Sequence, residues 1–439
     1  MLEQNLRAET RKNGILQRPD NDHVMFLSNF WASAFLEFSR EETYLTPLGD
    51  QRHVVQRHLV EAGVHLLEQP ENTLAAIVEA IKKVGPRNCS EIARLTGIPT
   101  ETVRYKIKNQ LAEKGVVISA VLNSNEIGIP AHLLNLNFTN DFRSAAPSLL
   151  EILSKIGYIT YYTRVLPQGT YLAKLQIPAK FREEYDKFLR SLVNIEILKS
   201  YEVKPLAWER YLSLKPEYYD FYNKSWVVDW KTVSASKAFL QQADTAVKEQ
   251  PEIDKPDVFI LKELQLDCTR SITDIAKKLQ MNPKTLRYHF AQHVQDKRLI
   301  QDYSVRWTGN SSLTERRWIM GVFLRVRDPT AEELWKAQAA FGKLPFTWFD
   351  AVAEDGSLYL AEIALPSTYY LDTMNYLYGE CIAFGDKLEH QLADYACSSS
   401  FTIPYEMFDE TRGWVFDNRV ALEKLCTLVS STQTAVQPE

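Results

Sequence analysis

Apolar residues first recur at helical spacing in "ENTLAAIVEAIKKVG", where Leu74, Ile77, Val78 and Ile81 share one face and Gly85-Pro86 ends the run. Asn88 with Glu91 forms a capping box for a second short helix, "SEIARLTG", and the turn Gly97-Ile98-Pro99 leads into a third. The period then switches to that of an extended run, "VVISAVLN" from Val116. Helix, helix, turn, helix and extended wing make a winged helix-turn-helix pattern. Downstream, "HLLNLNF" predicts a strand and "APSLLEILSKI" a helix. "YITYYTRVL" and "TYLAKLQI" predict a hairpin across Pro167-Gln168-Gly169, followed by a helix in "KFREEYDKFLRSL" and a strand in "IEILKSYEV". The order βαββαβ is that of a ferredoxin-like plait.

The pattern then recurs. "PDVFILKELQLD", "ITDIAKKLQ" (capped by Ser271 with Asp274) and a helix opened by Asn282-Pro283 precede the extended "LIQDYSVRW". "WIMGVFLRV", "AEELWKAQAAF", "FTWFDAVA", "SLYLAEIAL" and "STYYLDTMNYLYG" repeat the plait, with a final strand near Leu388 to Tyr395. "TETVRYKIKNQL" from Thr100 matches "PKTLRYHFAQHV" from Pro283, and "YLAKLQIP" from Tyr171 matches "YLAEIALP" from Tyr359. These echoes predict a tandem duplication. The expected class is α+β: two winged helix-turn-helix domains, each followed by a βαββαβ ferredoxin-like domain. The expected boundaries are an N-terminal, partly helical extension (1–70), winged helix-turn-helix 1 (71–125), plait 1 (126–210), a part-helical linker (211–255), winged helix-turn-helix 2 (256–310), plait 2 (311–400) and a C-terminal tail (401–439).

Charge sharpens this picture. The 439-residue chain carries a net charge of −5. Yet Pro86–Lys114 holds six Lys/Arg against three Glu, and Thr269–Arg298 holds seven against two Asp. Both basic stretches contain a third helix. On each, one face is apolar: Val103, Ile107 and Leu111, then Leu286, Phe290 and Val294. The opposite faces carry Glu101, Arg104, Tyr105 and Lys108, then Lys284, Arg287 and Tyr288. Exposed Arg-Tyr on a helix after a tight turn suits the major groove, with Thr100, Thr102 and Thr285 near the helix starts reaching phosphate. Arg94, Lys106, Lys277 and Lys278 are candidate backbone contacts. His289 and His293 stand at a spacing that places two imidazoles on one metal, but no carboxylate or cysteine is spaced in sequence to complete a site, so no metal is expected. Five cysteines without a CxxC pair, no run of about 18 apolar residues and no secretory leader fit a cytoplasmic protein.

The string "EIARLTGIPTETVRYKIKNQLAEKGVVISAVLNSNEIGI" followed by "HLLNLNF" resembles the leucine-responsive/AsnC regulators. The second copy keeps "DIAKKLQMNPKTLRYHF" but has Arg298 in place of a glycine. The resemblance implies a sequence-specific DNA-binding transcription regulator and not an enzyme. It implies double-stranded DNA as partner, a small-molecule effector, and assembly as a homodimer or higher oligomer. A tandem fusion would act as a covalent pseudo-dimer. No cofactor is expected. Two other readings stand beside it. Siroheme decarboxylases share the helix-turn-helix-plus-plait design and act on a tetrapyrrole, although their arginine-rich stretch after the wing is absent here. An interaction scaffold without DNA binding is the third, suggested by aromatics such as Tyr161, Trp335 and Trp348.

Overall fold

The computed structural model describes residues 70–235, 247–248, 251–307 and 319–434. The helical extension expected over 1–70 lies, but for its last residue, outside them. Three helices open the described chain: α1 (Pro70–Val84), α2 (Cys89–Thr96) and α3. The last of these runs as α-helix over Thr100–Tyr105, widens to a π-helix over Lys106–Gln110 and closes with Leu111–Glu113. Asn88 caps α2, and Gly97 ends it in the left-handed region (φ 71°), where a side chain would be strained. Strands β1 (Val116–Leu122) and β2 (Ala131–Phe138) follow, then α4 (Ala146–Ile156), β3 (Ile159–Leu166), β4 (Thr170–Gln176), α5 (Arg182–Asn194) and β5 (Leu198–Tyr211). A small hairpin, β6 (Tyr219–Asp220) with β7 (Ser225–Trp226), leads into α6 (Trp230–Ala235).

The second half follows the same order: α7 (Lys255–Leu266), α8 (Ile272–Leu279) and α9, which is α-helical over Pro283–Tyr288 and π-helical over His289–Gln295. Then come β8 (Ile300–Trp307), β9 (Ile319–Arg327), α10 (Ala331–Lys343), β10 (Thr347–Ala353), β11 (Leu358–Pro366), α11 (Tyr370–Cys381) and β12 (Leu388–Ser400). The hairpin β13 (Phe408–Asp409) with β14 (Gly413–Trp414) and helix α12 (Asn418–Thr434) finish it.

The fold is mixed α+β, but the strands do not form two separate four-stranded sheets. They close one eight-stranded barrel in the order β10-β11-β9-β12-β3-β4-β2-β5, with β5 returning to β10. Two seams join the halves, β5–β10 and β3–β12. Each carries an ion pair between residues directly opposite in register: Arg210 with Asp350, and Arg164 with Asp394. Such cross-strand pairs fix register, because a one-residue slip would turn every side chain to the wrong face. Asp350 is fully buried and also accepts from Tyr359 Oη at 2.9 Å. Helices cover the outer face while Leu133, Leu172, Phe323, Phe349 and Leu360 pack in a separate cluster. Strands such as β11, "LYLAEIALP", are therefore buried almost throughout instead of alternating with solvent.

Strands β1 and β8 also join the halves. β1 pairs antiparallel with β8 from Val116 opposite Trp307 to Val121 opposite Asp302. Arg87 of the first unit donates to the Arg270 carbonyl at 2.5 Å and stacks 4.9 Å from the Phe290 ring. The described stretches 211–235 of the expected linker and 401–434 of the expected tail form arms that cross over. Trp414 Nε1 donates to Ile127 O at 2.7 Å, Tyr158 Oη donates to Val415 O at 2.8 Å, and Phe416 packs 5.1 Å from Tyr185. In return Trp226 packs 4.9 Å from Phe346 and Tyr369 Oη donates to its carbonyl at 2.7 Å. Local polarity concealed both arms, since their apolar partners lie more than 100 residues away in sequence.

Candidate functional site

Between the β1–β8 ribbon and the barrel lies a cavity with about 1020 Å³ of space between its walls, part of it open to solvent. All eight barrel strands contribute to it, and the ribbon supplies Ser119, Leu122, Ser304 and Arg306. A second space of about 890 Å³ adjoins it and is walled by Trp226, Trp307, Phe346 and Trp348. Tyr161, Arg306, Trp348 and Ser400 face both.

The charges facing these spaces are few and differently held. Glu362 is buried, and burial pushes its carboxyl up to about 8, so it carries a proton at neutral pH. Tyr161 Oη and Tyr395 Oη both donate to its Oε1 at 3.1 Å. Tyr395 lies across Gly321, where an added Cβ would meet its ring at 2.5 Å. Lys174 sits in the same cavity and donates to Glu209 Oε1 at 2.6 Å and Tyr211 Oη at 2.7 Å. Burial works against its charge, but Glu209 and Tyr211 outweigh that and hold the ammonium above its usual range. Burial lowers His132 to about 4, helped by the nearby Arg182 charge, so its imidazole is neutral. Its Nδ1 meets Pro130 O at 3.0 Å.

Arg306 differs from these. Its guanidinium lies 5.8 Å from the Trp348 ring and reaches Ser119 Oγ at 3.4 Å. Among the described residues it has no carboxylate partner, and its Nε is buried without a hydrogen bond. Burial lowers its pKa, against which only the Tyr211 hydroxyl acts. Other buried polar atoms without a hydrogen-bond partner belong to residues lining the same spaces: His132 Nε2, Thr160 Oγ1, Glu209 Oε2, Ser304 Oγ, Trp307 Nε1 and Thr347 Oγ1. Buried polar groups are nearly always hydrogen-bonded, so these atoms give the walls of the two spaces unused donors and acceptors. The sequence did carry one signal for this site. In the paired phrases "YLAKLQIP" and "YLAEIALP", Lys174 and Glu362 occupy the same place, each a charge inside an otherwise apolar strand.

The residues expected to face DNA lie elsewhere. Arg94, Glu101, Arg104, Tyr105, Lys108, Lys277, Lys278, Lys284, Thr285, Arg287 and Tyr288 are exposed, and Thr100, Thr102 and Lys106 are half-buried. Several are engaged within their own units: Arg94 with Glu91, Arg104 with Glu101, Lys106 with Gln110, Lys278 with Glu263 and Arg287 with Thr273. None lines the cavities. Meanwhile β1 and β8 are hydrogen-bonded to each other, and residues of both line the cavity.

No protein-family model matches the chain, and no curated protein matches it. Among solved structures it is similar to the siroheme decarboxylase NirDL (TM-score 0.49, 12% identity), over 83% of this chain and 99% of that one. The same enzyme in co-complex with an iron-uroporphyrin III analogue matches with TM-score 0.47 at 12% identity, over 83% and 100%. AsnC of E. coli matches at TM-score 0.26 and 15% identity, over 31% of this chain and 90% of that one. The expected DNA-binding regulator is thereby corrected. The expectation that the chain is not an enzyme is corrected with it. Among the described residues no helix is long and apolar enough to cross a membrane.

Proposed function

We propose that the adjoining cavities bind a flat macrocycle bearing several carboxylates, of the tetrapyrrole class, and that the chain removes one such carboxyl group as carbon dioxide. The observation that carries this reading is Arg306: among the described residues it is a cation without a carboxylate partner, and it lines both the aromatic chamber and the cavity that holds the protonated Glu362 carboxyl group. Aromatic walls suit a planar ring, and a guanidinium with indole N–H groups around it suits acidic substituents. Decarboxylation needs one proton. The C–C bond to the carboxylate breaks, carbon dioxide leaves, and the electron pair left on the methylene carbon takes the proton from Glu362. Tyr161 and Tyr395 then hold the Glu362 carboxylate by hydrogen bonds until solvent returns the proton. In the same reading the two three-helix units are winged helix-turn-helix folds whose wings roof a pocket.

The test is an absorbance titration of the full chain with iron-uroporphyrin III and siroheme, followed by mass analysis of the recovered ring. Binding with a shifted absorption band and loss of carbon dioxide from siroheme are expected. Arg306→Met should weaken binding by about tenfold or more, the size of a lost charge-assisted contact. Glu362→Gln should bind normally and release no carbon dioxide. Absence of any spectral change with either ring would overturn the reading.

A further inference from the structure

A second constellation lies away from the cavities. Asp254 and Asp257 at the start of α7 face His289 and His293 on the π-helical stretch of α9, and one ligand atom from each lies within 4.8 Å of all the others. His289 Nδ1 is 3.0 Å from Asp257 Oδ1 and 3.3 Å from Asp254 Oδ2. His293 Nδ1 is 2.9 Å from Asp257 Oδ2 and 3.8 Å from Asp254 Oδ2. This corrects the expectation that the histidine pair lacks carboxylates: the pair is completed from a helix some 35 residues earlier in the chain, which spacing along one helix does not reveal.

We infer that these four side chains form a divalent-cation site of the zinc type. Bonds of about 2.0–2.1 Å in a tetrahedron put neighbouring ligand atoms roughly 3.3 Å apart, and the observed N···O separations straddle that value. Two imidazoles and two carboxylates suit a borderline cation. The first half of the chain supplies the contrast. At the recurring offset, Asp257 corresponds to Leu74, a core residue of α1, while His289 and His293 correspond to Lys106 and Gln110, which bond directly to each other at 2.9 Å. A fully buried carboxylate thus stands where the parallel helix has a leucine. Burying a carboxylate there is costly unless something charged compensates it. A capping box orients both carboxylates, since Asp254 and Asp257 each accept the other's backbone N–H. The ion would clamp α7 to α9 and stiffen the unit that carries β8 and its Arg306.

The full chain, stripped with a chelator, is titrated with Co²⁺ and then Zn²⁺. One Co²⁺ per chain, with the visible bands of tetrahedral coordination and displacement by Zn²⁺, is expected, together with a rise in Tm on adding Zn²⁺. Asp257→Leu restores the apolar residue of the first half and is therefore expected to fold, yet to bind Co²⁺ at least about a hundredfold more weakly. His293→Gln should weaken binding similarly. Equal Co²⁺ binding by the native chain and Asp257→Leu, or an unchanged native Tm with Zn²⁺, would show a hydrogen-bonded Asp–His cluster and overturn the proposal.

Discussion

Replacing Glu362 by Gln gives a sharp test of how the cavity is built. Gln keeps the shape and accepts from Tyr161 and Tyr395, but it cannot ionise. In the native chain burial raises the Glu362 carboxyl from 4.5 to about 8. The sign follows from proton counts. Between these values the folded chain holds the proton and the unfolded chain has released it, so stability falls as pH rises. The contribution is fully present below pH 4.5, declines by about 1.4 kcal/mol per pH unit, and is exhausted above pH 8, a total of roughly 5 kcal/mol. At pH 7 roughly 3 kcal/mol of it is already lost. Glu362→Gln lacks this dependence, although its buried amide N–H₂ adds a pH-independent cost of about 1–3 kcal/mol if unpaired. The assay is urea unfolding of both proteins at pH 5, 6, 7, 8 and 9. The stability difference should move in favour of Gln with each step to pH 8 and then level. Parallel curves across this range would refute the argument, because they would mean that Glu362 ionises in place without penalty.

Three further outcomes follow from the geometry. Asp350→Asn should destabilise the chain by about 3–5 kcal/mol in urea unfolding, since it leaves the buried Arg210 charge uncompensated at the β5–β10 seam. Gly321→Ala should cost about 1–3 kcal/mol and move Tyr395 off Glu362, because the new Cβ would meet the tyrosine ring; a crystal structure of the variant with Tyr395 unmoved would refute this. Trp414→Ala should cost about 3–5 kcal/mol and speed proteolysis at the end of the chain, as it removes the anchor that ties the final arm to Ile127 and Tyr158 in the other half.

Much of the local structure was legible. The periodicity of "APSLLEILSKI" marked α4 residue for residue, and Pro167-Gln168-Gly169 marked the turn between β3 and β4. The phasing that set Arg104 and Tyr105 opposite Val103 and Ile107 also holds in the structure. What it did not supply was the use of those surfaces. An exposed Arg-Tyr face is a local fact, whereas the cavity draws its walls from eight barrel strands and the β1–β8 ribbon, spread from Ser119 to Phe401.

The sequence by itself determined most helices and strands of each half and their order, though not the hairpins β6–β7 and β13–β14 or helix α12, because period and capping depend on side chains only a few residues apart. Only the tertiary structure decided that eight strands close one barrel, that β1 and β8 pair with each other, and that Arg306 and Glu362 line the same space. Those outcomes depend on hydrogen-bond register between strands more than 100 residues apart. Lys174 and Glu362 show the division most clearly. Their alternation within each strand sets which face they occupy, but only barrel closure turns that face from a solvated surface into an interior where a carboxyl group keeps its proton.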